Sequence, residues 1–135
     1  MSPSTAVTVD VDPEVFLFAR GEEEIKQATC LNLQKKGESY LPLRIGEKGE
    51  IPGSVLCPLF DCEAELDPSL NRFDALVAFI AYALEQLEGN TILPISRPIL
   101  VFRGDGKLRK QLGGYQRYLL SAAATLAGAR KVIFE

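Results

Sequence analysis

The sequence predicts a single α/β domain in which helices flank a central sheet. Two observations indicate this class: short apolar runs typical of buried strands alternate with two long segments that have the apolar spacing of helices. The length of 135 residues is enough for one domain with a sizeable core. We therefore expect a three-layer domain over residues 6–135, with a mainly parallel sheet of about four to five strands, and a flexible polar tail at residues 1–5.

The predicted strands are short segments, rich in β-branched and aromatic residues, that lie between turn formers. They are residues 6–11, 28–33, 54–60, 99–102 and 131–135. Asp12-Pro13 has the pattern of a helix start, and the apolar residues 15–19 after it are compatible with either a short helix or a strand. Residues 35–53 contain many Gly and Pro residues, which predicts a long connection with a short extended piece at residues 40–45.

The strongest predicted helix covers residues 69–88 and follows the cap signal Asp67-Pro68. Apolar side chains surround it almost completely, and a helix of this kind is either buried inside the domain or covered by another molecule. Both alternatives stay open from the sequence. The second places Phe79 and Tyr82 in the interface of a homodimer.

A second helix is predicted at residues 107–127, before the last strand. Gly113-Gly114 lies inside it, and we expect the two glycines to allow close packing of this helix on the sheet. A short extended piece is predicted at residues 91–95. The order strand, helix, strand over residues 99–135 predicts a parallel pair.

The composition excludes several classes of function. A net charge of −3 argues against a general nucleic-acid surface, and the absence of histidine removes Ser-His-Asp and Cys-His catalysis and most zinc and iron sites. We therefore expect no metal and no cofactor. Cys30, Cys57 and Cys62 lie in or beside apolar runs and are expected to be reduced core residues of a cytoplasmic protein. No apolar run is long enough to span a membrane, so no membrane association is expected.

The loop after the predicted strand at 99–102 is the candidate binding site. It consists of Arg103, Gly104, Asp105, Gly106, Lys107, Leu108 and Arg109. A buried strand, a loop with two glycines and the start of a helix together form a cradle for an anion, because the first N–H groups of a helix are free and its dipole favours negative charge. The hypothesis is an oxyanion site with Arg103, Lys107 and Arg109 as its cations. The alternative is an ordinary strand–helix turn with solvated charges.

Three pieces of the chain together resemble a rhodanese-like domain. The first is the strand at 28–34, the second is Gly49-Glu50-Ile51-Pro52-Gly53-Ser54 running into Val55–Leu59, and the third is the strand, loop, helix and strand over 99–135. The resemblance covers about 100 of the 135 residues, and its Ile-Pro-Gly-Ser piece is the most specific part. It implies a central sheet flanked by helices, with the loop 103–109 as the former active site.

The chain departs from the family at the position of the catalytic nucleophile. The family has a cysteine directly after the active-site strand, and this sequence has Arg103; the seven-residue loop with Gly106 and Arg109 is of the length found in the phosphatases of this fold. Arginine stays protonated and cannot act as that nucleophile. The sequence therefore predicts a non-catalytic module that binds a protein partner or a small oxyanion.

Two alternatives remain from the sequence. One is a sulfurtransferase or phosphatase that uses a displaced cysteine, and the other is an unrelated α/β subunit that forms a homodimer through the helix at 69–88.

Overall fold

The structure is a computed structural model that describes residues 6–61, 63–64, 66–88 and 97–135. The predicted tail at 1–5, the extended piece at 91–95 and Cys62 lie outside the described residues. The strands are β1 (Ala6–Asp10), β2 (Val15–Arg20), β3 (Glu23–Ala28), β4 (Cys30–Lys36), β5 (Ser39–Ile45), β6 (Val55–Pro58), β7 (Ile99–Arg103) and β8 (Lys131–Phe134). The helices are α1 (Arg72–Glu88), α2 (Arg109–Leu112) and α3 (Gln116–Leu126), with a 3₁₀ turn at Asp105–Leu108 before α2.

The larger of two sheets has five strands in the order β3-β2-β1-β7-β8. β1 pairs antiparallel with β2, and β2 antiparallel with β3, whereas β1, β7 and β8 run parallel to one another. The prediction of a mainly parallel sheet is therefore wrong, although the α/β class and the parallel pair of β7 and β8 are confirmed. The cause is a meander of three strands joined by short turns, which needs no crossover helix.

The turn between β1 and β2 explains why the helix predicted there does not form. The Asp12 carboxylate accepts a hydrogen bond of 2.9 Å from the backbone N–H of Glu14. An aspartate that bonds the backbone two residues on stabilises a turn as well as a helix start. The chain therefore reverses at Asp12-Pro13, and the apolar residues that follow form β2.

The smaller sheet has three antiparallel strands in the order β5-β4-β6. It contains two of the three pieces on which the rhodanese-like resemblance rests, since the strand at 28–34 overlaps β4 and the Ile51-Pro52-Gly53-Ser54 piece leads into β6. The predicted extended piece at 40–45 is confirmed as part of β5, an edge strand that accommodates Pro42. The three pieces of the resemblance therefore lie in two sheets.

Helices α1 and α3 contact each other and lie on one face of the five-stranded sheet. Every second side chain of β1, β2 and β7 is buried on this face, namely Val7, Val9, Phe16, Phe18, Leu100 and Phe102. The alternate side chains, such as Leu17, Val101 and Ile133, are partly exposed, and none of the described helices covers them. Among the described residues this sheet thus has one helical layer, not the two that a three-layer domain requires.

The core contains a cluster of four phenylalanine rings that joins the two sheets to α1. Phe79 of α1 contacts Phe16 edge-on at 5.4 Å between ring centroids and lies 6.1 Å from Phe18, and Phe60 stacks on Phe16 at 5.6 Å. Phe79 is 0% exposed, whereas Tyr82 is 37% exposed. Of the two predicted interface residues, Phe79 is therefore a core residue of the same chain, and the interface prediction is wrong for it.

The second predicted helix is interrupted at its two glycines. Gly113 and Gly114 have φ values of 58° and 95°, which are in the left-handed region that L-residues with a side chain avoid. The prediction that they allow close packing of a continuous helix is wrong. They end α2 after four residues and set the direction of α3.

Candidate functional site

The site with the best topological position is the carboxyl edge between β1 and β7. These two strands are parallel neighbours, but the chain continues from β1 to β2 on one side and from β7 to β8 on the other. In open α/β sheets, ligands bind outside the carboxyl ends of the strands at such a switch of direction. The connections that leave β1 and β7, residues 11–14 and 104–115, therefore form the expected wall of a binding site.

These two connections are held close together at their start. The backbone N–H of Val11 donates a hydrogen bond of 2.8 Å to the carbonyl of Arg103. Gly104 has φ 75°, and a Cβ atom there would lie 3.2 Å from the carbonyl oxygen of Val11. Glycine at 104 thus satisfies both the left-handed backbone and the close approach.

A cleft of about 550 Å³ opens beside these connections, between the carboxyl edge of the large sheet and the small sheet. Five separate segments line it, with the residues Pro13, Glu14, Ala28, Thr29, Cys30, Lys48, Pro58, Phe60, Asp61, Glu63, Lys110 and Gln111. Its volume lies in the range of small-molecule sites, about 300–1,000 Å³. Position and size together make this cleft the first candidate for a binding site.

The cleft walls combine a fixed backbone with free charges of both signs. The Thr29 hydroxyl donates to the carbonyl of Pro13 at 2.6 Å, which connects the start of β4 to the turn after β1. The Cys30 thiol donates to the carbonyl of Glu47 at 3.3 Å, which connects β4 to the loop between β5 and β6. Lys48 and Lys110 supply positive charge at the walls, while Glu14, Asp61 and Glu63 supply negative charge. Within the described ranges none of these five side chains forms an ion pair. Asp61 accepts a hydrogen bond of 3.0 Å from the backbone N–H of Glu63 through Oδ1, and the charges of all five side chains remain available to a ligand.

The two described cysteines are poor nucleophiles. Burial raises the pKa of both the Cys30 and the Cys57 thiol, and the nearby positive charges of Lys48 and Arg44 at Cys30, or Arg72 at Cys57, only partly oppose that shift. Because the thiolate is the reactive form, both groups are less reactive at neutral pH than an exposed cysteine.

The loop 103–109, the candidate site from the sequence, lies at the same edge but does not converge on a ligand. Arg103 occupies the last position of β7, and its side chain lies on the uncovered sheet face with those of Ile99 and Val101. Its Nε donates to the carboxylate of Glu135 at 3.0 Å. This predicted cation is therefore paired with an acid beside the loop.

The interior of the loop already contains a carboxylate. Asp105 is 3% exposed, and Arg117 of α3 donates to its two oxygens at 2.9 Å and 3.4 Å. The same guanidinium lies 5.1 Å above the ring of Phe134. The pKa of Arg117 is raised above its usual value, mainly by its hydrogen bond to Asp105 and to a smaller extent by the negative charge of that carboxylate. A carboxylate of the protein, paired with Arg117, thus lies inside the loop for which the sequence predicts an external anion.

The remaining loop residues have separate roles. Leu108 is fully buried, whereas Lys107 and Arg109 are exposed and form no ion pair within the part of the chain that the structure describes. The helix that follows is α2, with only four residues, so the dipole expected to favour an anion here is small. Arg103 and Asp105 thus bind different partners, Glu135 and Arg117, while the Lys107 side chain is exposed.

Sequence reasoning missed the cleft because its walls come from residues far apart along the chain. Pro13, Thr29, Lys48, Asp61 and Lys110 have no common motif or spacing. The sequence contains one pointer to the cleft: Lys110, which lines it, directly follows the loop 103–109 that was predicted as a binding site.

Comparison with known proteins adds no assignment: no protein-family model matches the chain, and no curated protein matches it. None of the helices among the described residues is long and apolar enough to cross a membrane. Within the same described residues, no three His, Cys, Asp or Glu side chains are grouped so that they could hold a metal ion.

Proposed function

We propose that this chain is a non-catalytic binding module and that its ligand site is the cleft between the two sheets. The observation that carries the proposal is the coincidence of this cleft with the switch of direction between β1 and β7. Lys48 and Lys110 on its walls form no ion pair with the residues that the structure describes, and together with Glu14 and Asp61 they favour a small polar ligand that carries both an anionic and a cationic group.

The non-catalytic character is supported by the state of the candidate nucleophiles. Arg103 stands where the resemblance to rhodanese-like domains expects a cysteine, and it is paired with Glu135. Cys30 lines the cleft, but burial keeps its thiol protonated. The assignment to the rhodanese-like family stays a prediction, and the proposed ligand site does not depend on it.

Thermal unfolding in the presence of defined probes tests the ligand site. The probes are the free amino acids and glycylglycine, with inorganic phosphate and sulfate as purely anionic comparators. A ligand at 100 times its Kd stabilises the folded state by about 2.7 kcal/mol. We expect a zwitterionic probe to raise Tm in the parent and in Lys131→Glu, an exposed lysine of β8 away from the cleft, but not in Lys48→Glu.

Two results would contradict the proposed ligand site. If no probe raises Tm, or if phosphate and sulfate do so while the zwitterions do not, the proposed ligand class is wrong. If Lys48→Glu keeps the full stabilisation, the ligand site lies elsewhere.

A turnover assay tests the non-catalytic character separately. Thiosulfate-to-cyanide sulfur transfer and aryl phosphate hydrolysis are measured for the parent and for a Cys30/Cys57/Cys62→Ser variant. Because the pKa of Cys30 and Cys57 is raised, we expect no activity above background in either protein. Activity that is present in the parent and lost in the triple variant would establish a cysteine-dependent enzyme.

A further inference from the structure

The end of the chain is strongly basic in an otherwise acidic protein. Residues 106–134 contain six cations and no Asp or Glu, although the whole chain has a net charge of −3. The six are Lys107, Arg109, Lys110, Arg117, Arg130 and Lys131. This segment includes α2, α3 and β8, and its charge is not used by the cleft except through Lys110.

An apolar stripe runs along the outer side of α3. Tyr115, Tyr118 and Leu126 are 69%, 71% and 68% exposed, and with the half-buried Ala122 between them they follow the spacing of one helix face. The inner side of the same helix carries the core residues Leu120, Ala123 and Ala124. Tyrosine and leucine side chains exposed to this degree on one helix face are typical of an interaction surface.

Free cations lie beyond both ends of this α3 stripe. Arg109 precedes α3 in α2, and Arg130 follows it before β8. Both are exposed, and neither forms an ion pair among the described residues. Arg117, in contrast, is already bound to Asp105. The 11 residues of α3 span about 16 Å, the length of three turns of a partner helix.

We propose that the α3 stripe docks an acidic amphipathic segment of a partner protein. The apolar side chains of that segment contact Tyr115, Tyr118 and Leu126, and carboxylates at its two ends pair with Arg109 and Arg130. Charge complementarity favours this occupant, because the segment 106–134 that carries the stripe has six cations and no Asp or Glu. A polyanion such as nucleic acid is disfavoured by the acidic remainder of the chain. This proposal is independent of the ligand site in the cleft.

A selection from a displayed library of helical peptides tests the proposal and does not require the partner to be identified first. We expect the enriched peptides to combine Asp or Glu with apolar residues at helical spacing. Their affinity should fall about tenfold or more in Tyr118→Ser/Leu126→Ser and in Arg109→Glu/Arg130→Glu. Tyr82→Ser, which changes an exposed tyrosine of α1 outside the stripe, is the matched control and should bind like the parent. Circular dichroism of each variant verifies that the fold is kept.

Several outcomes would overturn the proposal. These are the absence of any enriched peptide, enrichment of sequences without acidic residues, or equal affinity of Tyr118→Ser/Leu126→Ser and the parent. Preferential binding of a single-stranded oligonucleotide or of vesicles with anionic lipids, lost in the same variants, would assign the surface to another class of partner. Failure of the zwitterion test at Lys48 leaves the predicted result of this selection unchanged.

Discussion

The loop 103–109 and the cleft lie at the same edge of the large sheet, but they differ in how their charges are used. In the loop, Asp105 is bound by Arg117, and Arg103 by Glu135. In the cleft, Lys48, Lys110 and Glu14 are unpaired within the described ranges. A charge-rich motif in the sequence can therefore be a structural lock, while the free charges lie on residues that form no motif. Three predictions, in order of expected effect, test the loop side of this comparison: its buried pair, the helix break that follows it and its exposed pair.

Arg117→Ala should give the largest loss of stability. It leaves the buried carboxylate of Asp105 without its partner, and a buried charged acceptor left unsatisfied is costly even though the Arg117 side chain is 60% exposed. We expect Tm to fall by about 10 °C. Arg109→Ala, an exposed arginine of the same region, is the matched control and should leave Tm nearly unchanged. Equal Tm values for the two variants would mean that Asp105 and Arg117 do not lock the loop.

Gly113→Ala distinguishes the interrupted helix from the continuous helix that the sequence predicts. In the structure Gly113 has φ 58°, so a side chain there is strained and the variant should lose about 1–2 kcal/mol. In a continuous exposed helix the same substitution would instead stabilise the protein by about 1 kcal/mol. Urea unfolding of the variant shows whether its free energy of unfolding falls or rises. A rise would contradict the end of α2 at Gly113.

Arg103→Ala should have the smallest effect of the three. The pair with Glu135 is half exposed on both sides, and such pairs contribute less than about 1 kcal/mol. Urea unfolding of Arg103→Ala, Glu135→Ala and the double variant gives the coupling between the two side chains. A coupling well above about 1 kcal/mol would show that Arg103, too, is a structural anchor of the loop.

Much of the secondary structure was predictable because it depends on local patterns. The apolar run at 99–102 is β7, and the helical spacing at 69–88 is α1 apart from its first turn. β3 was missed because Glu23, Glu24 and Lys26 make its sequence resemble a solvated loop; it is an edge strand whose outer side chains face solvent. β2 was predicted less well because it depends on the turn at Asp12. An aspartate that bonds the backbone N–H two residues later occurs both in turns and at helix starts, so the sequence does not separate the two.

The candidate site was less predictable than the fold. The side chain of Arg103 could have been placed, since Ile99, Val101 and Arg103 alternate with the buried Leu100 and Phe102. The pairing of Asp105 could not have been predicted from the sequence. Its partner Arg117 lies 12 residues later, beyond the break in the helix at Gly113. The cleft needs the relative position of two sheets, which no local pattern contains.

The most direct test of the ligand site is nuclear magnetic resonance of the ¹⁵N-labelled protein. Spectra are recorded without ligand, with a mixture of the free amino acids, and separately with inorganic phosphate as the comparator, and the backbone signals that move with the amino acids are assigned. We predict that the largest changes fall on the cleft residues Thr29, Cys30, Lys48 and Lys110. Changes concentrated on residues 103–109, or the absence of any change, would contradict the proposed ligand site in the cleft.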